Sequence, residues 1–570
     1  MLIRCWLEPL RLCREISRLH IGDLKREILS KKYRKYRRDI IRDLRKFPNI
    51  FGALGSGVEE SVDRQNILII SSYSTIIGIK LEVVMSFAAC LSNYSPVVVE
   101  ASRNPWIRRY HRAAGNSAFV NFYSLVGSTA GDLFGHASVA EFVAALSEAK
   151  TIKEIVNLSV GGLDAGRIVL SNIIERHKFE TVDPRDNALK TELLEEAKAV
   201  FRNLSMAHRL LDRVRPETAL VLEKGLSPGA EIVAVCHQRG IPVVQYAGAP
   251  KTDELILKRY TFENRHVSAS SLSTESWANV RAMPFDANRE QELMDEFDEG
   301  YRLGTWFRRK HLHSDKKIIP AEDVKEVLSL EPGRKVAVVF SHVLWDATFF
   351  YGENLFDDYE SWLMETIGYA LKNPNVTWLI KLHPDLKWKL RLAGSASELR
   401  ELRLVSERFG ALPEHIRFIL PDTSISTRSI FDIADYCLTV RGTVGIEMAC
   451  RGVPVITAGS GRYAGLGFTS DPKSKSEYRD IIAGIQDLPA MTDREVETAR
   501  RYAYMLFMRR SFPLTSYRQT YQTGEDLTHP LAVNLESTLP SGAELAASPD
   551  MRMLVPWLSG TQEDFLYEED

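Results

Sequence analysis

The stretch LTVRGTVGIEMACRGVPVITAGSGRYAGLGFT, residues 438–469, decides the fold. An apolar, β-rich run ends at Arg441-Gly442, a helical pattern begins at Thr443, and a second apolar run follows at 453–459. Strand, helix and strand in this order are typical of a parallel βαβ unit. Glycine at the strand-to-helix turn lets a ligand approach the backbone, and the free N–H groups of a helix N-terminus attract anions. The stretch therefore predicts a parallel sheet with an anion site at its edge.

The same alternation extends on both sides of this unit. In the second half of the chain the pattern predicts strands at 335–343, 377–384, 416–420, 435–442 and 453–459, with helices at 359–373, 396–409, 424–434 and 443–452. In the first half it predicts strands at 66–73, 96–102, 118–124, 217–225 and 241–249, with helices at 78–93, 104–115 and 228–240. Ligands of such sheets bind beyond the carboxyl ends of the strands.

The predicted fold is α/β, with two Rossmann-like, doubly wound parallel-sheet domains that face a cleft. A chain of 570 residues exceeds what one core accommodates, which agrees with two or three domains. We expect a basic helical N-terminal arm, an N-terminal Rossmann-like domain, a helical linker, a C-terminal Rossmann-like domain and a loosely packed tail. Their predicted bounds are 1–60, 61–280, 281–330, 331–515 and 516–570.

Charge is distributed unevenly along the chain. Residues 1–50 carry a net charge of +9, which leaves −11 for the remainder. The segment KKYRKYRR at 31–38, with the apolar residues around Trp6, is compatible with two arrangements. It lies on an anionic membrane surface, or it is a solvated helical arm that packs on the body. Nucleic acid is not expected as a partner, because the rest of the chain is acidic and lacks an aromatic-basic motif.

Other composition signals point to a cytoplasmic protein. The six cysteines show no CxxC pair and no metal-ligand spacing, so reduced thiols and no metal site are expected. No run of ~20 apolar residues is present. Neither a Walker motif nor a GxGxxG turn follows a predicted strand, which disfavours ATPases and nicotinamide enzymes.

Four loops of the second half carry the candidate chemistry. In the first, Gly442 and Thr443 open a helix, and Glu447 lies one turn later, where its carboxylate can accept hydrogen bonds from a ribose. In the second, Lys381 and His383-Pro384 end a strand, which places cationic groups where a phosphate would sit.

The other two loops are longer. SHVLWDATFFYGEN begins at Ser341 and offers Asp346 as a contact to a base, a sugar or an acceptor hydroxyl, unless it forms a hydrophobic lid. The glycine-rich loop at 459–472 brings Arg462 and Tyr463 toward the cleft and exposes backbone amides to a sugar or phosphate.

Together these loops resemble the C-terminal half of bacterial capsule and surface polysaccharide biosynthesis proteins of the GT-B glycosyltransferase type. The resemblance rests on SHVLWDATFF, LIKLHP, ADYCLTVRGTVGIEMACRGVPVI and GRYAGLGFT, and covers residues 335–480. In capsule-type Kdo transferases an HP pair and a Ser/Thr-rich turn hold the donor phosphate, which implies His383-Pro384 and Gly442-Thr443 here. Arg441 would add charge next to that turn. This chain has RGTVG in place of the serine-rich turn, so CMP-, UDP- and GDP-linked donors all remain open.

The resemblance implies metal-independent transfer of a sugar to a glycan or lipid-linked glycan, with no cofactor. It also implies that residues 61–280 form the acceptor domain and residues 331–515 the nucleotide-sugar domain. Positive groups and a helix N-terminus would stabilise the departing phosphate, and we assign His383 and Asp346 to the catalytic set. The general base should come from the N-terminal half. Glu82 is the catalytic candidate there, and the alternatives are Glu100, Arg103, Lys251, Asp253 and Glu254.

Two other functions remain as alternatives. One is a non-catalytic polysaccharide-binding or assembly protein on the same fold, and the other is a nucleotide-sugar epimerase. The fate of a nucleotide-sugar donor separates the three functions. A transferase releases free nucleotide, an epimerase yields an isomer of the donor, and a binding protein leaves the donor unchanged. If the basic arm binds lipid, the protein would lie on the inner face of the plasma membrane.

Overall fold

The computed structural model describes residues 31–47, 50–54, 64–72, 75–125, 129–179, 181–303, 316–386, 399–521, 529–539 and 541–567. The predictions for residues 1–30, including the apolar residues around Trp6, lie outside the described residues.

The first half of the chain alternates helices and strands. In chain order these are α1 (Lys31–Lys46), β1 (Gln65–Ser71), α2 (Ile76–Leu91), β2 (Tyr94–Glu100), α3 (Trp106–Ala113), β3 (Phe119–Asn121), α4 (Ala130–Phe134), α5 (His136–Glu148), α6 (Ile152–Val156), α7 (Ala165–His177), α8 (Asn187–Val214), β4 (Thr218–Val221), α9 (Gly229–Gln238), β5 (Val243–Gly248), β6 (Glu254–Tyr260) and α10 (Thr274–Ala282).

The first sheet has the strand order β6-β5-β4-β1-β2-β3. Strands β1 to β5 are parallel, and Ile69 of β1 lies opposite Val98 of β2 and Leu220 of β4. The apolar run of β1 is buried on both faces, as in parallel sheets covered by helices on each side. Strand β6 is antiparallel to β5 and was not predicted. Its sequence ELILKRY contains two cations, and Lys258 is buried because Asp564 accepts from its ammonium group at 2.8 Å.

The second half forms the second sheet. Its elements are α11 (Ala287–Leu303), α12 (Ala321–Val327), β7 (Val336–Phe340), α13 (Tyr359–Ala370), β8 (Thr377–Lys381), α14 (Arg400–Phe409), β9 (Ile416–Ile419), α15 (Thr427–Phe431), β10 (Tyr436–Thr439), α16 (Thr443–Cys450), β11 (Val455–Thr457), α17 (Lys475–Ala483) and α18 (Asp493–Tyr504). The strand order is β11-β10-β7-β8-β9, and every pair is parallel. The predicted architecture of two Rossmann-like sheets is confirmed.

The predicted linker is not a free connection. Leu293 and Phe297 of α11 and Val324 of α12 are buried in the core of the second sheet. Because α11 is amphipathic, its apolar side has to be covered, and the second half of the chain supplies the cover.

The last segment returns to the first half. It contains β12 (Ser511–Pro513), β13 (Tyr517–Tyr521), β14 (Val533–Ser537), α19 (Gly542–Ala546) and α20 (Pro549–Ser559). Strand β12 pairs antiparallel with β6 at the edge of the first sheet, and β13 pairs with β14. Leu554, Leu558 and Phe565 are buried in the same core as α2. The sequence predicted a loosely packed tail, but this segment packs against α2. Helix α2 is apolar on nearly all sides, so it requires a second covering layer, which the segment supplies.

Helix α1 also belongs to that layer. Tyr36, Ile40 and Phe47 are buried, and Asp43 lies next to the buried Lys80 of α2. The Lys80 ammonium donates to Asp43 Oδ1 at 2.8 Å, to Asn534 Oδ1 at 2.7 Å and to the carbonyl of Leu535 at 2.9 Å. Burial lowers the pKa of Lys80, and the carboxylate of Asp43 opposes that shift. One buried cation thus joins the arm, the first domain and the C-terminal hairpin.

We expect Asp43→Asn to destabilise the protein by about 3 kcal/mol, because the buried ammonium of Lys80 loses its counter-charge. Urea unfolding monitored by fluorescence measures the change. The matched control is Asp480→Asn in α17, where the ion pair with Arg479 is exposed and about 1 kcal/mol or less is expected. Equal effects of the two substitutions would contradict this account of Lys80.

Candidate active site

A cavity of about 260 Å³ lies where the carboxyl ends of the two sheets face each other. The first half contributes the segments after β4 and along β5, and α11 contributes Tyr301. The second half contributes the segments after β7, β8 and β10. The predicted site residues that line it are Asp346, Lys381, His383, Pro384, Arg441, Gly442, Thr443, Glu447 and Arg462. The structure therefore brings the four predicted loops together, while Tyr463 and Glu82 lie outside the cavity wall.

Two arginines give the cavity a positive wall. Arg441 is buried, and its Nη2 donates to the carbonyl of Glu353 at 3.2 Å and to Asn354 Oδ1. Its Nε and Nη1 are buried without a hydrogen-bond partner among the described residues. Arg462 donates from Nη1 to the carbonyl of Arg441 at 3.2 Å, and its own Nε has no partner in the described part either. Buried guanidinium N–H groups without partners are costly, so they indicate a place for an anion.

Helix α16 points its N-terminus into the cavity from the same side. Gly442 is the N-cap, and its N–H donates to Thr439 Oγ1 at 3.1 Å. Thr443 follows as the first helical residue, half-buried in the cavity wall. The positive end of the helix adds to the field of the two arginines.

Tyr463 supports this N-terminus from behind. It is buried, and its hydroxyl donates to the carbonyl of Gly442 at 2.7 Å. The approach requires glycine at 445, because a Cβ there would lie 2.2 Å from the tyrosine hydroxyl oxygen. Tyr463 lies behind the cavity wall and is therefore a positioning residue.

The glycines of the opening stretch also let two loops touch. Gly461 has φ of +92°, and a Cβ there would lie 2.6 Å from the Cα of Gly352. The N–H of Ser460 donates to the carbonyl of Glu353 at 2.9 Å. The loop after β11 is thereby fixed against the loop after β7, next to Arg441.

The loop after β7 crosses to the first domain. Trp345 and Phe349 are buried in the core of the first half, and a Cβ at Gly225 would lie 2.5 Å from the ring of Phe350. The aromatic residues of this loop thus connect the two halves beside the cavity. Asp346, in the middle of the loop, is buried and faces the cavity.

The end of β8 delivers two basic groups. Lys381 is buried, and desolvation lowers its pKa to about 7, with Lys316 acting in the same direction. No carboxylate within the described residues pairs with its ammonium group. His383 is half-buried, and its Nδ1 accepts the N–H of Asp385 at 3.2 Å, so Nε2 carries the proton of the neutral ring.

His342 lies deeper in the cavity wall and was not assigned a role from the sequence. Its Nε2 accepts the N–H of Val440 at 3.3 Å and lies 3.2 Å from Thr439 Oγ1, and its ring stacks on Tyr359 at 4.5 Å. Burial, followed by repulsion from positive groups around it such as Arg441, holds the pKa of His342 well below its usual range. It is a neutral residue that orients the β10 turn.

Three carboxyl groups line the cavity from different sides. Glu447 is buried, accepts from the hydroxyl of Tyr301 at 2.8 Å, and has its pKa raised to about 7 by desolvation. Asp346 comes from the second half. Glu223 comes from the first half, just after β4, where its Oε1 accepts the N–H of Gly225 at 3.0 Å. Glu223 was missed because the run ETALVLEKG was taken only as a strand.

Glu82 differs from the expectation that it borders the cleft. It is fully buried within α2, where Ser71 donates to its Oε2 at 2.5 Å and His111 Nε2 lies 3.7 Å away. Burial raises the pKa of Glu82 to about 8, and the same apolar surroundings lower the pKa of His111 to about 3. Because α2 is covered on both sides, Glu82 contacts the protein interior and lies away from the cavity.

The other candidates from the first half are also engaged elsewhere. Glu100 pairs with Arg108, Lys251 lies 3.5 Å from Glu296, and Asp253 accepts the N–H of Gln519 at 2.9 Å. Neither they nor Glu254 and Arg103 line the cavity.

In the described part of the chain, no three or more His, Cys, Asp or Glu residues come close enough to hold a metal ion. No helix described combines the length and apolarity of a membrane span.

We expect Gly445→Ala to cost about 1 to 3 kcal/mol through its overlap with Tyr463, although alanine favours helices. In a Tyr463→Phe background that cost should fall by about 1 kcal/mol or more, because the overlapping oxygen is absent. Thermal unfolding of the four variants completes the double-mutant cycle. Gly368→Ala in α13 is the control, since its Cβ would meet Phe409 only at 3.7 Å. An additive cycle would show that Tyr463 does not constrain position 445.

Lys381→Met should change stability in a pH-dependent way. Between pH 7 and the ordinary lysine pKa of 10.5 the unfolded chain holds a proton on Lys381 that the folded protein does not. The cost of burying Lys381 therefore grows as pH falls toward 7 and is constant below it. The gain in unfolding free energy of Lys381→Met over wild type should shrink by about 1.4 kcal/mol per pH unit above 7. Urea unfolding between pH 6 and 9 tests this, with exposed Lys475→Met as the surface control; a pH-independent gain would contradict it.

Comparison with known proteins gives distant similarities. No family model and no curated protein matches the chain. Among solved structures, the β-Kdo 2,4 transferase KpsC of Thermosulfurimonas dismutans is 15% identical with a TM-score of 0.33, over 52% of this chain and 81% of that one. Anabaena HepE in complex with UDP-glucose is 14% identical with a TM-score of 0.26, over 77% and 94% of the respective chains.

A third similar structure is the UDP-GlcNAc 2-epimerase of Neisseria meningitidis bound to UDP-GlcNAc. It is 9% identical with a TM-score of 0.26, over 77% of this chain and 97% of that one. The expected distant likeness to capsule Kdo transferases is confirmed. Likeness at these TM-scores carries no argument about activity, which has to come from the cavity itself.

Proposed function

We propose that this protein is a glycosyltransferase that moves a sugar from a nucleotide-sugar donor to a capsule or other surface polysaccharide. One observation carries the proposal. Arg441 and Arg462 present buried N–H groups without partners in the described residues, beside the N-terminus of α16, in a cleft between two Rossmann-like sheets. Such a cradle fits the phosphates of a nucleotide donor.

The positive groups around the cradle would stabilise the departing nucleotide. Negative charge develops on the phosphate as the bond to the sugar breaks, and preorganised cations in a desolvated cavity lower the energy of that state. Arg441 and Arg462 supply charge, Lys381 adds charge in its protonated form, and His383 can donate from Nε2. Protein cations would thus do the work that a divalent metal does in other transferases.

Glu447 is proposed to hold the ribose. Its carboxylate is already fixed by the hydroxyl of Tyr301, and its place one turn into α16 puts it beside the phosphate cradle. An ionised Glu447 accepts from a sugar hydroxyl, so donor binding through this residue should strengthen as pH rises through about 7.

Glu223 is proposed as the general base in place of Glu82. It lines the cavity from the first domain, whereas the arginines of the phosphate cradle come from the second half of the chain. A carboxylate there is suited to take the proton of an acceptor that the first domain holds. Asp346, on the loop that connects the two halves, is proposed to contact the donor sugar or the acceptor.

The first test is thermal stabilisation by CMP, UMP, UDP, CDP and GDP. One nucleotide should raise the melting temperature of the wild type, because a ligand of the folded state alone stabilises it. Arg441→Met and Arg462→Met should weaken that nucleotide about 10- to 100-fold, as expected for lost charged hydrogen bonds. Exposed Arg479→Met is the matched control and should bind as wild type. If no nucleotide binds, the proposal fails.

Turnover of the matching donor then separates the possible activities. Release of free nucleotide, reduced at least 100-fold in Glu223→Gln with nucleotide binding retained, supports the transferase. Conversion of the donor to an isomer would identify an epimerase. Binding without turnover of any donor, with polysaccharide acceptors present, would identify a binding or assembly protein.

A further inference from the structure

The exposed sides of α1 and α3 carry an uninterrupted set of cations. On α1 the buried positions Tyr36, Ile40 and Phe47 define one side of the helix, and the helical period places Arg38 and Arg45 on the opposite side. Both arginines are exposed. Helix α1 therefore uses its apolar side for the core of the protein and leaves its basic side to solvent.

Helix α3 repeats this arrangement next to α1. It buries Ile107 and Tyr110 in the same core and exposes Arg109 and Arg112. The two helices are in contact, and the Tyr110 hydroxyl donates to Asp43 of α1. Because neighbouring helices bury their apolar sides in one core, their outer sides form one continuous face. We call it the basic surface; its exposed cations are Arg34, Arg38, Arg45, Arg103, Arg109 and Arg112.

The acidic groups of these elements are committed elsewhere. Asp43 faces inward to Lys80, and Asp39 lies 3.1 Å from the buried His529. Glu100 pairs with Arg108. No ion pair involves the six cations of the basic surface in the described part of the chain. Their charge is therefore available to a partner.

Aromatic side chains lie among the cations. Tyr123 is 40% exposed. The guanidinium of Arg109 lies 4.8 Å from the ring centre of the half-buried Trp106, and that of Arg103 lies 5.7 Å from the ring of Tyr123. Tyrosine and tryptophan next to arginine are typical of surfaces that meet the headgroup region of a bilayer.

We propose that the basic surface docks the protein on an anionic phospholipid bilayer. The phosphate-bearing headgroups complement the cations, and the aromatic rings reach the interface between headgroups and chains. Attachment through α1 is electrostatic, since the apolar side of that helix is already used by the core. The proposal does not rest on the proposed function, because vesicle binding is measured without any donor.

The test compares charge-reversal variants of the full chain in vesicle co-sedimentation. Wild type should bind phosphatidylcholine vesicles with 30% phosphatidylglycerol, and 0.5 M salt should release it. Each cation near such a surface contributes about fivefold to partitioning, so Arg38, Arg45, Arg109 and Arg112, all changed to glutamate, should weaken binding at least 100-fold. Circular dichroism melting verifies that the variant is folded.

The matched control reverses four exposed cations of the second half, Lys473, Lys475, Arg479 and Arg494. It changes the net charge equally and should bind vesicles within threefold of wild type. If both variants lost vesicle binding equally, net charge alone would explain the loss, and the proposal would be overturned. Wild-type binding to pure phosphatidylcholine at the same strength would overturn it as well. Binding to heparin or DNA through the same four arginines, without binding to anionic vesicles, would reassign the surface to a soluble polyanion.

Discussion

Positive charge that is buried without a counter-charge is the constraint on which this structure depends. Arg441 and Lys381 are removed from water in the cleft, and in the described part of the chain no carboxylate forms an ion pair with either of them. A folded protein tolerates such cations only where their cost is offset, and the cavity they line is where an anion would offset it. The phosphate of a donor is the complement that this geometry supports.

These cations are buried together because the ends of neighbouring strands converge at the cleft. Strands β7, β8 and β10 are parallel neighbours in the second sheet, so the segments after them, which carry Asp346, His383 and Arg441, emerge at one edge. Glycines then determine how closely these segments approach. Gly445 admits Tyr463 behind the N-terminus of α16, and Gly352 with Gly461 lets two loops meet at van der Waals distance. The glycine turns of residues 438–469 thus bring backbone groups close to the proposed anion site.

Sequence patterns predicted the elements whose causes are local. The strands and helices of both sheets follow from apolar periodicity, and the four loops follow from their places after strands. What escaped prediction depends on long-range contacts. Strand β6 contains Lys258, whose burial depends on its ion pairs with Glu563 and Asp564, which lie about 300 residues later in the chain. Tyr301 comes from a charged segment expected to be a linker. Glu82 was misplaced because the layer that buries α2 comes from the two ends of the chain, and Glu223 was hidden at the end of an apolar run.

The two basic regions of this molecule differ in physical kind. In the cavity, desolvation makes each charge strong at short range, lowers the pKa of Lys381, and shields the interaction from salt. On the basic surface, the arginines are solvated and act within a Debye length of about 8 to 10 Å, so their attraction depends on many weak contacts and on ionic strength. As proposed, the first arrangement would select the shape and charge of one small anion, and the second would only require a surface dense in negative charge. A protein that needs both selection of a soluble donor and attachment to a membrane would require these two kinds of site in separate places, and the fold separates them by placing one at the strand ends and the other on the outer helices.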